Sequence, residues 1–480
     1  MPTIPIEAKH EKAVAVWLLI GLVALLAGRL WLMWILPLTD TTEARYGEIA
    51  RLTAEMGFWL MPHSDPLTPF FAKPALSTWL EAASCRILGT SELALRLPAL
   101  LATLATMALV WTLLADRPLK TRLFGLLAFA SAPLMFVSAG TVMTDPVHML
   151  CIAVAMVAAW RVLFDATASR GMHWMFWAAV GVGMLAKGLA TVALIALPLG
   201  LYALVSGRLR EVVSRILSIR GILLALIIAV PWYLIAEMAY PGFLNYFLIG
   251  EHFRRFTDPG WTGDRYGFAH KVPLGMIWLF WLGAVGPWAP VFFMHLTRLV
   301  RIRPIAGISQ DARWWWSWCL APLLFFTFSR NAIWTYALTA IPPFAMLAAQ
   351  WFDSRSQAFQ VRLAGSSLIL ILASLAAMLW WLPAEVGMQS ARTLVEQARR
   401  HAGIGTLVCA EVYPFSADYY TRRQLVRADS AGELDAWLKR PGSLIILPVN
   451  RLPAAGVTEI ARNNKAVLVE VGPASARITP

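Results

Sequence analysis

Apolar residues in this chain are gathered into blocks of about 18 to 22, the length at which a helix crosses a hydrocarbon core. That pattern excludes a large soluble helical protein. Charged residues make up 14% of the chain, against about 25% in soluble domains. Mean hydropathy is +0.62. The blocks predict eleven spans, at roughly 13–36, 96–115, 123–140, 146–164, 174–186, 189–206, 221–240, 274–296, 314–329, 333–351 and 363–382. The 23 tryptophans are expected in belts at the two membrane interfaces. The first apolar run, Ala13 to Leu36, is too long for a cleavable signal and has no small-residue cleavage site after it. It reads as a retained anchor preceded by Lys9 and Lys12.

Basic residues orient the spans. With the N-terminus in the cytoplasm, every cytoplasmic loop collects arginine or lysine. The clusters are Arg117, Lys120 and Arg122; Arg170; Arg208, Arg210, Arg215 and Arg220; Arg298, Arg301, Arg303 and Arg313; and Arg355 and Arg362. The net charge of +13 therefore reflects orientation and anionic membrane lipid, not a nucleic-acid partner. Four cysteines without a CxxC pair argue against a zinc site or a disulfide framework.

The opposite, extracytoplasmic face receives the loop 37–95, the turn Thr141–Pro146, the Lys187-Gly188 junction, the loop 241–273, the turn at Arg330 and the tail. Residues 1–383 thus form a transmembrane domain. Residues 384–480 carry frequent charges and short apolar runs, with strands expected at Thr406–Val412, Ser443–Pro448 and Ala466–Val471. Helices are expected at Ser390–His401, Phe415–Tyr420, Ala431–Lys439 and Val457–Asn463. This alternation predicts a small α/β domain on the periplasmic side. The fold class is an all-α polytopic membrane protein with that α/β domain appended.

Unusual polar residues collect on the extracytoplasmic face. The first loop opens Asp40-Thr-Thr-Glu43-Ala-Arg45-Tyr46-Gly-Glu48-Ile-Ala-Arg51, with a helix expected from Thr41 to Met56. Asp40 as N-cap and Glu43 three residues on make a capping box, and Glu48 pairs with Arg51. Lys73, set between aromatics and Pro74, is a point charge for phosphate or a snorkelling lysine. Glu92 and Arg96 are four apart and expected to pair. Asp145 opens a helix at Asp145-Pro146, where capping and function both suit it. Lys187-Gly188 interrupts an apolar stretch. Glu251-His252-Phe253-Arg254-Arg255-Phe256 has the density of an anion or sugar site, and Arg330 with Tyr336 adds one more cation and a phenol.

In order and spacing these motifs, from about Trp31 to Tyr336, resemble the aminoarabinose-transferase-like family of C-type glycosyltransferases, relatives of the protein O-mannosyltransferases. The resemblance implies an integral membrane glycosyltransferase in the bacterial inner membrane. It would move a sugar from a polyprenyl-phosphate donor to a lipid or glycan acceptor, lipid A in the best-known members, at the periplasmic face. Two departures stand out. Thr42 occupies the place of the first acid of the family's acidic pair, and Ala72 precedes the lysine where the aminoarabinose transferases tend to carry Glu near a divalent metal. No cofactor is required by these residues, and a divalent cation is left open.

The expected roles follow. Asp40, Glu43 and Asp145 are the catalytic carboxylates, with Asp40 favoured as base because Glu43 has the stronger capping role. Arg45, Tyr46, Lys73, Arg254, Arg255, Arg330 and Tyr336 hold the donor phosphate. Lys187, Glu251 and His252 complete the site. The alternative function is a lipid-linked sugar flippase or transporter. Transporters gather polar residues at the midplane and show repeats, whereas here the polar residues lie at one face.

Overall fold

The computed structural model describes residues 6–167, 169–258, 261–263, 265–266, 270–301, 308–401 and 407–472. Arg303 and Thr406 lie outside the described residues. Among the described ones, seven helices are long and apolar enough to cross a membrane: His10–Ile35, Glu92–Leu113, Asp145–Phe164, Leu189–Ser206, Ile219–Ala239, Met276–Leu299 and Gln357–Gly387. Four further segments are shorter, broken or less apolar, and they fall where the remaining spans were expected. They are Leu119–Ala130 with Pro133–Ser138, Arg170–Lys187, Gln310–Thr327, and the 3-10 turn Trp334–Ala340 leading into Ile341–Asp353. The breaks have local causes. Pro133 starts a new helix because its ring cannot continue the old one. Gly286, at φ +51, turns Met276–Val285 into a 3-10 step before Ala289–Arg301. The protein is a multi-pass, all-α membrane protein with a small strand-containing region at its C-terminal end.

Tryptophan is used differently from the expected belts. Trp281, Trp314, Trp315 and Trp318 are fully buried in the bundle. Trp160 stacks on Trp315, and Tyr202 meets Trp314 edge-on. Large flat rings fill the space between helices that cross without a dry hydrophobic effect to draw them together. Trp380 and Trp381, exposed near the end of the last long helix, do have the disposition of interfacial anchors.

The first loop folds into the helices Thr42–Met56 and Leu76–Leu88, joined by a short hairpin of β1 (His63–Asp65) and β2 (Thr68–Pro69). It is pinned by one buried arginine. Arg96 donates to both carboxylate oxygens of Glu43 at 2.8 and 2.9 Å, and to the carbonyls of Met33, Leu36 and Pro37 at 2.7–2.9 Å. Glu43 also accepts from the Thr39 and Val142 N–H groups. The expected Glu92–Arg96 pair is therefore not formed. Arg96 turns inward to the end of the first span, while Glu92 meets Arg392 at 3.3 Å and the Tyr420 hydroxyl at 3.0 Å. Glu48 and Arg51 pair as expected, at 2.7 Å.

The C-terminal region carries a five-stranded sheet in the order β4-β3-β5-β7-β6, from β3 (Leu407–Ala410), β4 (Val426–Ala428), β5 (Leu444–Pro448), β6 (Val457–Arg462) and β7 (Ala466–Val471). Strands β4, β3 and β5 are parallel, and β7 is antiparallel to both β5 and β6. The helix expected at Val457–Asn463 is instead the edge strand β6. Its Val457, Thr458 and Ile460 are β-branched, and its ladder to β7 is worth more than a short exposed helix.

Removing one partner of a buried ion pair costs about 3–5 kcal/mol, because the other charge is left unmatched. Glu43→Gln should therefore lower the thermal unfolding temperature of the detergent-solubilised protein markedly. Glu55→Gln, at the half-exposed end of the Arg51 pair, should shift it little. Equal unfolding temperatures for Glu43→Gln and wild type would remove Arg96 from its anchoring role.

Candidate functional site

Two connected cavities, each about 330 Å³, open beside the first loop. They share Lys73, Asp145, Lys187, Arg255, Thr335 and Tyr336. One is polar and adds Thr41, Thr42, Arg45, Tyr46, Thr144, Tyr266 and His270. The other is a mainly apolar shaft whose walls include Leu189, Ala193, Leu194, Phe253, Phe325 and Leu338. A charged mouth on an apolar shaft suits an amphiphile whose headgroup is anionic.

Lys73 reaches the mouth from the bend before Leu76–Leu88. Its Nζ meets Glu251 at 3.0 Å and donates to the Ala72 carbonyl at 2.8 Å. Glu251 also holds Arg255, at 3.1 Å. Both partners sit on or just after a ten-residue π-helix, Asn245–Arg254, whose wider turn is a common feature of functional sites. Burial alone would lower the Lys73 ammonium, but Glu251 and Tyr46 outweigh it and raise it above the ordinary lysine value. Burial alone would raise the Glu251 carboxyl, yet Lys73 and Arg255 hold it below the ordinary range. Both groups stay charged at neutral pH.

Lys187 comes from the end of Arg170–Lys187 and binds Asp145 at 2.7 Å. It also lies 5.3 Å from the Tyr336 ring. Gly188 makes this junction possible. Its φ is +63, and a Cβ there would stand 2.7 Å from the Phe247 ring and 2.9 Å from His252. His252 is fixed by the carbonyls of Phe247, at 2.8 Å, and Lys187, at 3.3 Å. Burial pushes its imidazole below the ordinary histidine value. Arg45 projects from Thr42–Met56 to the polar cavity, where it donates to the Tyr266 carbonyl and lies 5.6 Å from the Phe415 ring.

Nine of the expected site residues thus line the cavities: Arg45, Tyr46, Lys73, Asp145, Lys187, Glu251, His252, Arg255 and Tyr336. Four do not. Arg254 and Arg330 are exposed and stand off the cavity walls. Glu43 is buried with Arg96. Asp40 is turned to the C-terminal region, where it accepts the N–H groups of Phe415 and Ser416 at 2.8 and 3.1 Å and the Ser416 hydroxyl. Burial raises the Asp40 carboxyl, offset in part by Ser416 and Phe415. Nor does Asp40 cap the loop helix, whose N-cap is Thr41 without a side-chain bond. The structure turns Asp40 and Glu43 away from the cavities, and Asp145 is the expected catalytic carboxylate that lines them.

Sequence reasoning missed Thr144, His148, Tyr266, His270, Asn331, Thr335 and Thr339, all on the cavity walls. His148 had a signal, being three residues after Asp145 on one helix; its Nε2 meets Thr191 Oγ1 at 3.0 Å. Tyr266 had none. Its hydroxyl donates to the Pro69 carbonyl at 2.6 Å and accepts from Phe71 N–H at 3.0 Å, a contact across almost 200 residues. A divalent cation fits poorly. Among the described residues no three acid, histidine or cysteine side chains converge, Glu251 is engaged by two cations, and both His252 nitrogens meet carbonyls.

Comparison with known proteins follows the same outline. A family model described as dolichyl-phosphate-mannose-protein mannosyltransferase matches residues 72–235. The undecaprenyl phosphate-alpha-4-amino-4-deoxy-L-arabinose arabinosyl transferase of Serratia proteamaculans is 28% identical over 345 residues, covering 69% of this chain and 60% of its own. A Pseudomonas fluorescens enzyme of the same name is 29% identical over 390 residues, covering 77% and 64%. The chain therefore spans about 60% of the length of these relatives. The crystal structure of ArnT from Cupriavidus metallidurans bound to undecaprenyl phosphate superposes with a TM-score of 0.74 at 20% identity, covering 95% of this chain and 99% of that one. Its apo form gives 0.70. The fold is thus that of ArnT.

The charge states of the Lys73–Glu251–Arg255 cluster set a pH dependence. The Glu251 carboxyl is depressed in the folded protein, so its stabilisation is complete above the unfolded value of 4.5 and is lost as pH falls through the lower folded value. Thermal stability should fall on acidification below the ordinary glutamate range. Glu251→Gln should lower stability at neutral pH and flatten that acidic decline. Parallel pH profiles for variant and wild type would show that the cluster carries no such linkage.

Proposed function

We propose that this chain, a member of the aminoarabinose-transferase-like family of membrane glycosyltransferases, moves a sugar from a polyprenyl-phosphate donor to a lipid or glycan acceptor at the periplasmic face of the bacterial inner membrane. One observation carries the reading. Lys73, Arg255, Lys187 and Arg45 line the polar cavity, and the first three also line the apolar shaft. The shaft would take the prenyl tail and the cations the phosphate. Arg255 supplies a planar donor set and Lys73 a point charge, so charge growing on the departing phosphate oxygen meets fixed donors in a low dielectric. A transporter would spread its polar groups toward the midplane, whereas here they gather with the loops at one end of the bundle.

Asp145 is the carboxylate we assign as proton acceptor for a hydroxyl-bearing acceptor. It starts the helix Asp145–Phe164, is oriented by Lys187, and faces both cavities. An acceptor that brings its own ionised oxygen, such as a phosphate, needs no base. The two cases separate by experiment. Asp145→Asn should slow transfer to a hydroxyl acceptor by about 100- to 10,000-fold. Transfer to a phosphate acceptor should fall far less.

With purified full-length protein and radiolabelled undecaprenyl-phosphate sugars, Lys73→Ala should lower turnover by roughly a hundredfold while unfolding temperature is retained. Wild-type turnover in Lys73→Ala would remove the phosphate role and leave Lys73 as a snorkelling residue. Orientation has its own test. Alkaline phosphatase fused after Ala384 should be active, and fused after Arg210 inactive. Activity at Arg210 would invert the membrane topology and put the cavity mouth on the wrong face for a periplasmic transferase.

A further inference from the structure

A separate cavity of about 170 Å³ lies among the first span, the span Glu92–Leu113 and the short helix Pro133–Ser138. It shares no wall residue with the two cavities of the candidate site. Its walls are apolar except for Thr103 and Arg29. The Thr103 hydroxyl donates to the Ala99 carbonyl at 2.9 Å within its own helix. Val23, Leu26 and Leu104 line the cavity and are exposed. The cavity is therefore a groove open to the side of the bundle, where membrane spans meet hydrocarbon.

Arg29 is the unusual member. It stands six residues before the end of Ile6–Ile35, roughly 9 Å short of it along the helix. A cation at that depth is costly unless something pairs with it. Its Nη2 donates to the Val137 carbonyl at 2.9 Å and to Thr141 Oγ1 at 3.3 Å. Its Nε lies against Gly140, where a Cβ would stand 2.3 Å away. Its guanidinium carbon is 5.6 Å from the centre of the Phe136 ring. These contacts fix the guanidinium plane and bring no negative charge. The charged groups that act on Arg29 are Arg96 and Glu43, and Glu43 gives both oxygens to Arg96. Two guanidinium groups and one carboxylate leave one positive charge over. Nε is sealed from any ligand. Nη1 is not sealed, and among the described residues it has no hydrogen-bond partner. It is the donor that Arg29 offers to the groove.

We infer that this groove binds one anionic glycerophospholipid, such as phosphatidylglycerol, with its phosphate on Arg29 and a chain running along the groove toward Leu22 and Met107. A guanidinium N–H to a phosphate oxygen is a charge-assisted bond, among the strong ones where water is excluded. A phosphodiester carries one negative charge, which matches the one charge left over. Phosphatidylethanolamine carries its own ammonium and is neutral overall. A polyprenyl phosphate monoester approaches two negative charges and is better matched by the four cations of the candidate site. From Arg29 the apolar wall continues for about two helical turns to Leu22, which gives the chain its place. Because Arg29 also holds Val137 and Thr141, the lipid and the turn leading to Asp145 share one side chain.

The test places the full-length protein in phosphatidylcholine nanodiscs with a trace of phosphatidylglycerol that carries a photoactivatable group on one chain. Crosslinked peptides are then mapped by mass spectrometry. Label should appear on peptides holding Leu22–Arg29 and Leu100–Met107. Unlabelled phosphatidylglycerol should compete about tenfold better than phosphatidylethanolamine or undecaprenyl phosphate. Arg29→Gln removes the charge and should lower this labelling roughly tenfold, while label on the lipid-facing helix Ile219–Ala239 stays unchanged. Leu104→Trp fills the groove from an exposed position and leaves Arg29 in place. It should lower the labelling by a similar factor at the wild-type unfolding temperature, and it decides alone if Arg29→Gln does not fold. Absence of label from the groove in the wild type would overturn the inference. So would equal competition by phosphatidylethanolamine, stronger competition by undecaprenyl phosphate, or undiminished labelling in Leu104→Trp.

Discussion

The loop end of the bundle hangs on a guanidinium that has lost its water. Arg96 makes five hydrogen bonds, and their acceptors serve two structural needs. Three are carbonyls at the end of the first span, where an exiting helix leaves its last C=O groups without partners. The other two are the Glu43 carboxylate. Through Glu43 the loop helix Thr42–Met56 is tied to the bundle, and through the Val142 N–H so is the turn that leads to Asp145. Such a pair adds little net stability over an apolar equivalent, but it specifies one arrangement. Here the arrangement fixes Arg45 and Tyr46, on the next turns of that helix, against the cavity that Asp145 also faces.

The membrane half of this was legible in the sequence, because one-dimensional periodicity and charge placement carry it. Among the described residues, apolar blocks and basic loop ends located the seven long apolar helices and four weaker segments, including Arg170–Lys187 and Gln310–Thr327. Lys73, Lys187, Glu251 and Arg255 were legible for a different reason: a charge beside an apolar stretch is costly enough to need a cause. What failed was direction. Glu92 and Arg96 share one helical face, yet a buried carboxylate 53 residues away competes better for Arg96 than a neighbour open to solvent. Of the adjacent Arg254 and Arg255 only Arg255 lines the cavity, and the sequence holds no sign of which would. Neutral residues such as Thr335 and Tyr266 were invisible, since their function depends on contacts made across the fold.

Asp40 shows how far a partner can lie from its motif. The stronger capping role expected of Glu43 made Asp40 the favoured base, and in the structure its partners lie 375 residues downstream. Three donors from Phe415 and Ser416 close on its carboxylate, Arg423 reaches Glu48 at 2.9 Å, and the Tyr420 hydroxyl accepts from Leu38 N–H at 2.7 Å. The loop helix is thus held from both sides, by Arg96 in the bundle and by the C-terminal region above it. Phe415, adjoining the Asp40 contact, also lies against Arg45. The C-terminal region therefore borders the polar cavity's wall at one remove, through the residue we assign to phosphate.

Charge balance joins these pieces into one argument about the proposed reaction. The cavity walls hold Arg45, Lys73, Lys187 and Arg255 against Asp145 and Glu251, an excess of two positive charges. A polyprenyl-phosphate sugar is a diester with one negative charge. When the sugar leaves, the phosphate becomes a monoester that approaches two. The fixed excess matches the departing phosphate better than the intact donor, so its stabilisation grows along the reaction coordinate, the condition under which binding energy accelerates chemistry. Had Thr42 and Ala72 been carboxylates on the same walls, the excess would vanish unless a bound cation or a cationic sugar restored it. The two departures from the family pattern, read separately as losses, therefore act together: they leave the cavity walls with their excess of positive charge.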